Sequence, residues 1–118
     1  MATLDFQKLD VWQRAMNLVV EVYDIADSLP DKEKYALADQ LRRAVVSIPS
    51  NIAEGQKRLN RRETIQFSGM ALGSAAEIQT QLLIVQRIYG IDISSALNNA
   101  EIVAKMLTAL IKALKSKL

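Results

Sequence analysis

Apolar residues recur at intervals of three and four along almost the whole chain, in four runs separated by short interruptions. That spacing keeps one face of a helix apolar and does not fit the alternation of a half-buried strand. The interruptions are Leu29-Pro30-Asp31, the basic stretch after Gly55, and Gly90. Proline turns the residue before it away from helical geometry, and glycine commonly closes a helix. In a chain of 118 residues this predicts one all-α domain spanning 1–118. Short connections make it an antiparallel up-down-up-down four-helix bundle.

The first run extends from about Leu9 to Leu29, with Trp12, Ala15, Met16, Val19, Val22, Tyr23 and Ala26 as its main stripe. Val11, Leu18 and Ile25 widen the apolar arc well beyond the roughly 100° that one core contact needs. Such a helix is either buried on two sides within its own subunit or meets another subunit. A second helix is expected directly after Pro30, with Asp31 as N-cap, running through Leu37 and Leu41 to a C-terminal cap at Gly55. Pro49 lies inside it, predicting a kink between Val45 and Pro49 whose freed carbonyls need Ser47, Ser50 or Asn51 as donors.

The third run, about Arg62 to Tyr89, carries Phe67, Met70, Ala71, Ser74, Ile78, Val85 and Ile88 on one face and Ile65, Leu72 and Leu83 on the other. It also holds Gly69 and Gly73 among small residues. Glycine costs a helix about 1 kcal/mol relative to alanine, so this pair predicts the close approach of another backbone. The fourth run begins near Asp92 or Ser94 and carries Ala96, Ala100, Val103 and Leu107 before ending in Lys112, Lys115 and Lys117. Lysines in a last turn suit the helix dipole, so by themselves they are weak evidence for a ligand.

Beside the apolar face of the second helix runs a polar stripe of Gln40, Arg43, Ser47, Asn51 and Glu54. Short hydrogen-bonding side chains there suggest contact with a helix, a second subunit or a ligand. Arg43 and Glu77 fall beside core faces of neighbouring helices, which predicts an interhelical ion pair. Gly69, Gly73, Ser74 and Glu77 join the stripe as candidate assembly residues.

The chain has neither histidine nor cysteine. This removes histidine acid–base chemistry, Ser-His and Cys-His nucleophiles, disulfides and the usual zinc ligands. No acid cluster stands at metal-ligand spacing, so no metal, cofactor or enzymatic activity is expected. No apolar run approaches a membrane span and the start lacks a signal-peptide pattern, giving a cytoplasmic expectation. The net charge of +2 is unevenly spread: −3 over residues 1–30, +4 over 31–62, −2 over 63–92 and +3 over 93–118. Arg42, Lys57, Arg58, Arg61 and Arg62 make the second quarter a candidate phosphate-binding surface, the alternative being a solvated loop with incidental charge. The interleaved aromatics typical of single-strand readers are missing.

Three stretches carry a family resemblance: LDVWQRAM from Leu9, PDKEKYALADQLRRAVVSIPSNIAEG from Pro30, and ALGSAAEI from Ala71. They resemble the four-helix-bundle proteins encoded by intervening sequences of bacterial 23S ribosomal RNA genes. Gly73, Ser74 and Glu77 match that family's Gly-Ser-x-x-Glu element. The resemblance implies a bundle that assembles as a homo-oligomer, in known cases a ring of five. The family is similar in turn to the accessory protein of diversity-generating retroelements, which binds nucleic acid and partners a reverse transcriptase. It thereby implies a non-enzymatic protein for structured RNA or DNA, with a protein-binding scaffold as the alternative and a reverse-transcriptase-like protein as a possible partner by analogy.

Overall fold

A computed structural model describes residues 5–118. A 3-10 turn at Asp5–Lys8 leads into α1 (Asp10–Asp27), and a second turn, Asp31–Glu33, precedes α2 (Leu37–Gln56). The helices α3 (Arg61–Tyr89) and α4 (Ser94–Lys115) complete the chain, with no strand among the described residues. Each helix packs on two others, α1 on α2 and α4, α3 on α2 and α4, and the diagonal pairs do not meet. Contacts between ends give the directions. Arg42 near the start of α2 reaches Asp27 at the end of α1, while Arg61 at the start of α3 reaches Lys117 beyond the end of α4.

The core is aliphatic. Val11, Ala15, Leu18, Val22 and Ala26 of α1 meet Leu41, Val45, Ile48 and Ile52 of α2 in one cluster. Ala71, Ala75, Ile78, Leu82 and Val85 of α3, with Ala96, Ala100, Val103 and Leu107 of α4, complete it. Alanine at six of these positions lets the helices approach closely, and the large side chains interdigitate around them.

The expected main stripe of α1 is only partly inward. Its Ala15, Val22 and Ala26 are buried, joined by Val11 and Leu18, whereas Met16 and Tyr23 are exposed and Trp12 and Val19 are half-buried. The apolar arc of α1 is too wide for the neighbours that one subunit provides. On α3 the same holds: Met70, Leu83, Ile84 and Ile88 are exposed, so neither of its flanks is fully covered. Two-sided burial within the subunit does not occur on either helix.

The second helix also starts later than the Asp31 cap predicted. Pro30 is followed by a 3-10 turn, Ala36 leaves helical geometry (φ −121°, ψ −107°), and α2 begins at Leu37. The turn brings Glu33 against Tyr89 at the end of α3, whose hydroxyl donates to its carboxylate at 2.5 Å. This bond ties the α1–α2 connection to the bundle, and Tyr35 is left 86% exposed. At the other end α2 passes through Pro49 and Gly55 without stopping. Pro49 deprives the Val45 carbonyl of its i+4 donor. Side chains occupy the neighbouring carbonyls: Ser47 Oγ donates to Ala44, Ser50 Oγ to Val46 and Asn51 Nδ2 to Ser47.

Candidate nucleic-acid interface

Gly55 is not the cap that its position suggested. It is buried inside α2, and a Cβ built there would lie 2.9 Å from Cβ of Phe67 and 3.4 Å from the Thr64 carbonyl oxygen. Its role is close approach: α2 and α3 cross here with no room for a side chain. Thr64 Oγ1 locks the crossing by donating to the Gly55 carbonyl at 2.9 Å.

Because α2 is fixed at Gly55, the next residues must turn in a short distance. Asn60 caps α3, its side chain accepting from the Glu63 amide at 2.9 Å. Arg58 lies over the Phe67 ring, 4.4 Å from its centroid, and pairs with Glu54 at 2.9 Å. Arg61 Nη1 donates to the Lys117 carbonyl at 2.8 Å. That bond carries the most information about the site, because it brings the tail of α4 beside the α2–α3 turn. The two basic stretches of the sequence, 56 residues apart at this contact, converge on one pole of the bundle. Lys57, Arg62, Lys115 and Lys117 there are exposed, and none of them joins a side-chain ion pair among the described residues.

The five basic candidates thus separate. Lys57, Arg58, Arg61 and Arg62 belong to this pole, although Arg58 and Arg61 are already engaged. Arg42 does not belong: the fourteen helical residues 43–56 stand between it and Lys57, a rise of about 22 Å. It sits at the opposite pole, paired with Asp27 at 2.8 Å and 5.8 Å from the Tyr23 ring centroid. In the sequence Lys115 and Lys117 are weak evidence for a ligand, because their place in a last helical turn explains them adequately. Antiparallel topology was the signal that could have recovered them, since it returns the end of α4 to the start of α3.

The polar stripe is only partly an interlock. Ser47 Oγ donates to Ser74 Oγ at 2.6 Å, joining α2 to α3 as expected, and Asn51 bonds within its own helix. Glu54 serves Arg58, and Gln40 is exposed. The Arg43–Glu77 pair does not form. Arg43 turns to Asp39 one turn earlier at 2.8 Å, and its side chain is 79% exposed. At Gly69 and Gly73 nothing lies within 4 Å of a built Cβ, so no backbone of this subunit approaches them. The small residues that do mediate close packing are Gly55 and the core alanines.

Other surfaces offer little chemistry. A groove of about 320 Å³ between α1 and α2 is lined by Phe6, Trp12, Met16, Val19, Pro49 and Ala53 and is almost entirely apolar. Among the described residues no group of acids could hold a metal, and no helix is long and apolar enough to cross a membrane.

A model of the 23S rRNA-intervening sequence protein family matches residues 7–109. Among solved structures, the chain is similar to a protein of unknown function from the S23 ribosomal protein family of Bacteroides thetaiotaomicron VPI-5482. The two are 24% identical, with 86% of this chain and 95% of that one covered and a TM-score of 0.79, a likeness of fold. No curated protein matches.

Proposed function

As the chain belongs to the 23S rRNA-intervening sequence protein family, we propose that it is a non-enzymatic cytoplasmic protein that binds structured RNA or DNA through phosphates. The observation that carries this reading is the Arg61–Lys117 contact, which gathers cations from two distant stretches at one pole. Lysine and arginine neutralise phosphates and release counterions, so affinity falls steeply with salt. Lys57, Arg62, Lys115 and Lys117, taken as four phosphate contacts per subunit, give a log–log slope of about −3.6 on B-form DNA at about −0.9 per contact. Band-shift titrations of an RNA hairpin and a DNA duplex at 50 and 200 mM salt test it. Absence of binding at the lower salt refutes the reading.

The protein acts as a homo-oligomer, and the family resemblance makes a ring of five its form. Met16, Val20, Tyr23 and Val46 on the α1–α2 side and Met70, Ile84 and Ile88 on α3 are exposed apolar groups on different faces. Different faces favour head-to-tail contacts, which close into rings. A single species of monomer mass in sedimentation at micromolar concentration refutes this part.

The same apolar groove supports a second reading, a scaffold that holds a protein, with a reverse-transcriptase-like partner by analogy. A purified partner that stays bound after nuclease treatment, with no salt-dependent shift of nucleic acid, favours it over the first.

A further inference from the structure

We propose that the bundle meets a nucleic-acid duplex end-on, with its helices standing away from the backbone and only the α2–α3 turn and the tail of α4 touching phosphates. The proposal rests on the nucleic-acid reading above and adds an orientation to it.

The long flanks are unsuited to a polyanion. No cation lies on α2 between Arg43 and Lys57, and none on α3 between Arg62 and Arg87. The charge within that stretch of α3 is Glu63 and Glu77. A duplex laid along this side would face Met70, Gly73 and Ile84, apolar or small groups with nothing to offer a phosphate. On α4 the one mid-helix cation, Lys105, is paired with Glu101 at 3.3 Å.

The far pole is unsuited as well. Asp24, Asp27, Asp31, Glu33 and Asp92 gather around the α1–α2 and α3–α4 connections and repel phosphate. Lys32, Lys34 and Arg87 stand among them, while Arg42 and Arg43 are held by Asp27 and Asp39. The protein therefore carries a charge gradient along its longest dimension of 46 Å, which matches the roughly 43 Å of α3. In a polyanion's field such a gradient orients the molecule before contact.

At the basic pole the contact lies off centre. Asp5 and Asp10 occupy the α1 corner, and Glu54 and Glu63 lie beside Arg58 and Asn60, so the phosphates fall to Lys57, Arg62, Lys115 and Lys117. The aromatic rings at this end are all half-buried, Phe6 tilted against Trp12 and Phe67 beneath Arg58. Phe67 is covered by Arg58, and Phe6 and Trp12 line the apolar α1–α2 groove, which favours a paired duplex over an unstacked strand.

The lack of cysteine allows a direct test. Single cysteines replace Leu59, fully exposed in the basic turn, or Tyr35, 86% exposed at the far pole, and each carries an iron chelate that cleaves nearby backbone. The protein is otherwise the full chain, and 24-base-pair RNA and DNA duplexes are the probes. The expected result is backbone cleavage at least tenfold stronger from Leu59→Cys than from Tyr35→Cys. Equal cleavage from both overturns the orientation and leaves the nucleic-acid reading intact. A Lys32→Ala, Lys34→Ala double variant, free of any label, should bind within twofold of the wild type. A tenfold loss there also overturns the orientation. Failure of the wild type to shift either duplex at low salt overturns the nucleic-acid reading itself, and the orientation with it.

Discussion

Arginine stands at both poles of the bundle, yet the two poles treat it differently. At one, Arg42 is held between the Asp27 carboxylate and the Tyr23 ring, its side chain 28% exposed. At the other, Arg62 and Lys57 project into solvent with no ion pair. Both sets belong to the same +4 segment of the sequence, so charge density along the chain does not measure charge available to a ligand. Availability depends on which acids the fold brings up. The far pole collects the acids at the end of α1, and the near pole collects the lysines at the end of α4.

The sharpest way to break this comparison is to neutralise one pole at a time. Replacing Lys57, Arg62, Lys115 and Lys117 with alanine should weaken duplex binding by about a thousandfold or more at 0.1 M salt and flatten the salt slope by about 3.6. Arg42→Ala should leave affinity within twofold of the wild type. Its cost falls on stability, at most about 1 kcal/mol, because a partly exposed pair is worth little. If Arg42→Ala weakens binding as much as the fourfold variant, the poles are not distinct. Band shifts read the affinity and urea unfolding reads the stability.

Next in size is the crossing that supports the basic turn. Gly55→Ala must push Phe67 aside, an overpacking cost of about 1–3 kcal/mol, offset by about 1 kcal/mol of helix propensity. The expected net result is a loss of up to about 2 kcal/mol by urea unfolding. Gly73→Ala, with open space around it, should instead raise subunit stability by up to about 1 kcal/mol. The opposite ranking would mean that the glycine pair, and not Gly55, is where backbones meet. A Gly73→Ala protein that is more stable but no longer sediments as an oligomer would assign that glycine to a contact between subunits.

These cases also mark how far the sequence could be read. Helix number and the inward faces of α2 and α4 follow from local spacing, because a 3.6-residue period is a property of each helix alone. The inward face of α1 was only partly legible, for a physical reason. Its apolar arc is so wide that spacing does not tell which part a neighbour covers, and Leu18 and Met16 look alike until α2 and α4 are in position. Gly55 and Gly73 likewise look alike until Phe67 is placed. Arg43 had a local acid, Asp39, one turn away, which competed successfully with the distant Glu77. The pole itself was half legible: its turn was evident from Lys57 to Arg62, but its second half needed a contact 56 residues away.

The smallest expected effect lies at the far pole and appears only in alkali. Tyr89 donates to the Glu33 carboxylate, and this bond, followed by burial and the carboxylate's negative charge, raises the phenol's pKa above its ordinary 10.0. A group whose folded pKa is raised stabilises the fold below its unfolded value and loses that contribution as pH rises through the folded value. The tie that holds the Pro30–Ala36 connection should therefore persist through neutral pH and release above pH 10, when tyrosinate can no longer donate and repels Glu33. Glu33→Gln should ionise tyrosine at lower pH than the wild type in an ultraviolet titration, and a Tyr89→Phe background should abolish that difference. Amide exchange in the connection should rise over the same interval in the wild type. Unchanged titration in Glu33→Gln would show that the bond does not anchor this pole. The connection would then rest on Leu29 and Leu37, whose burial does not depend on pH.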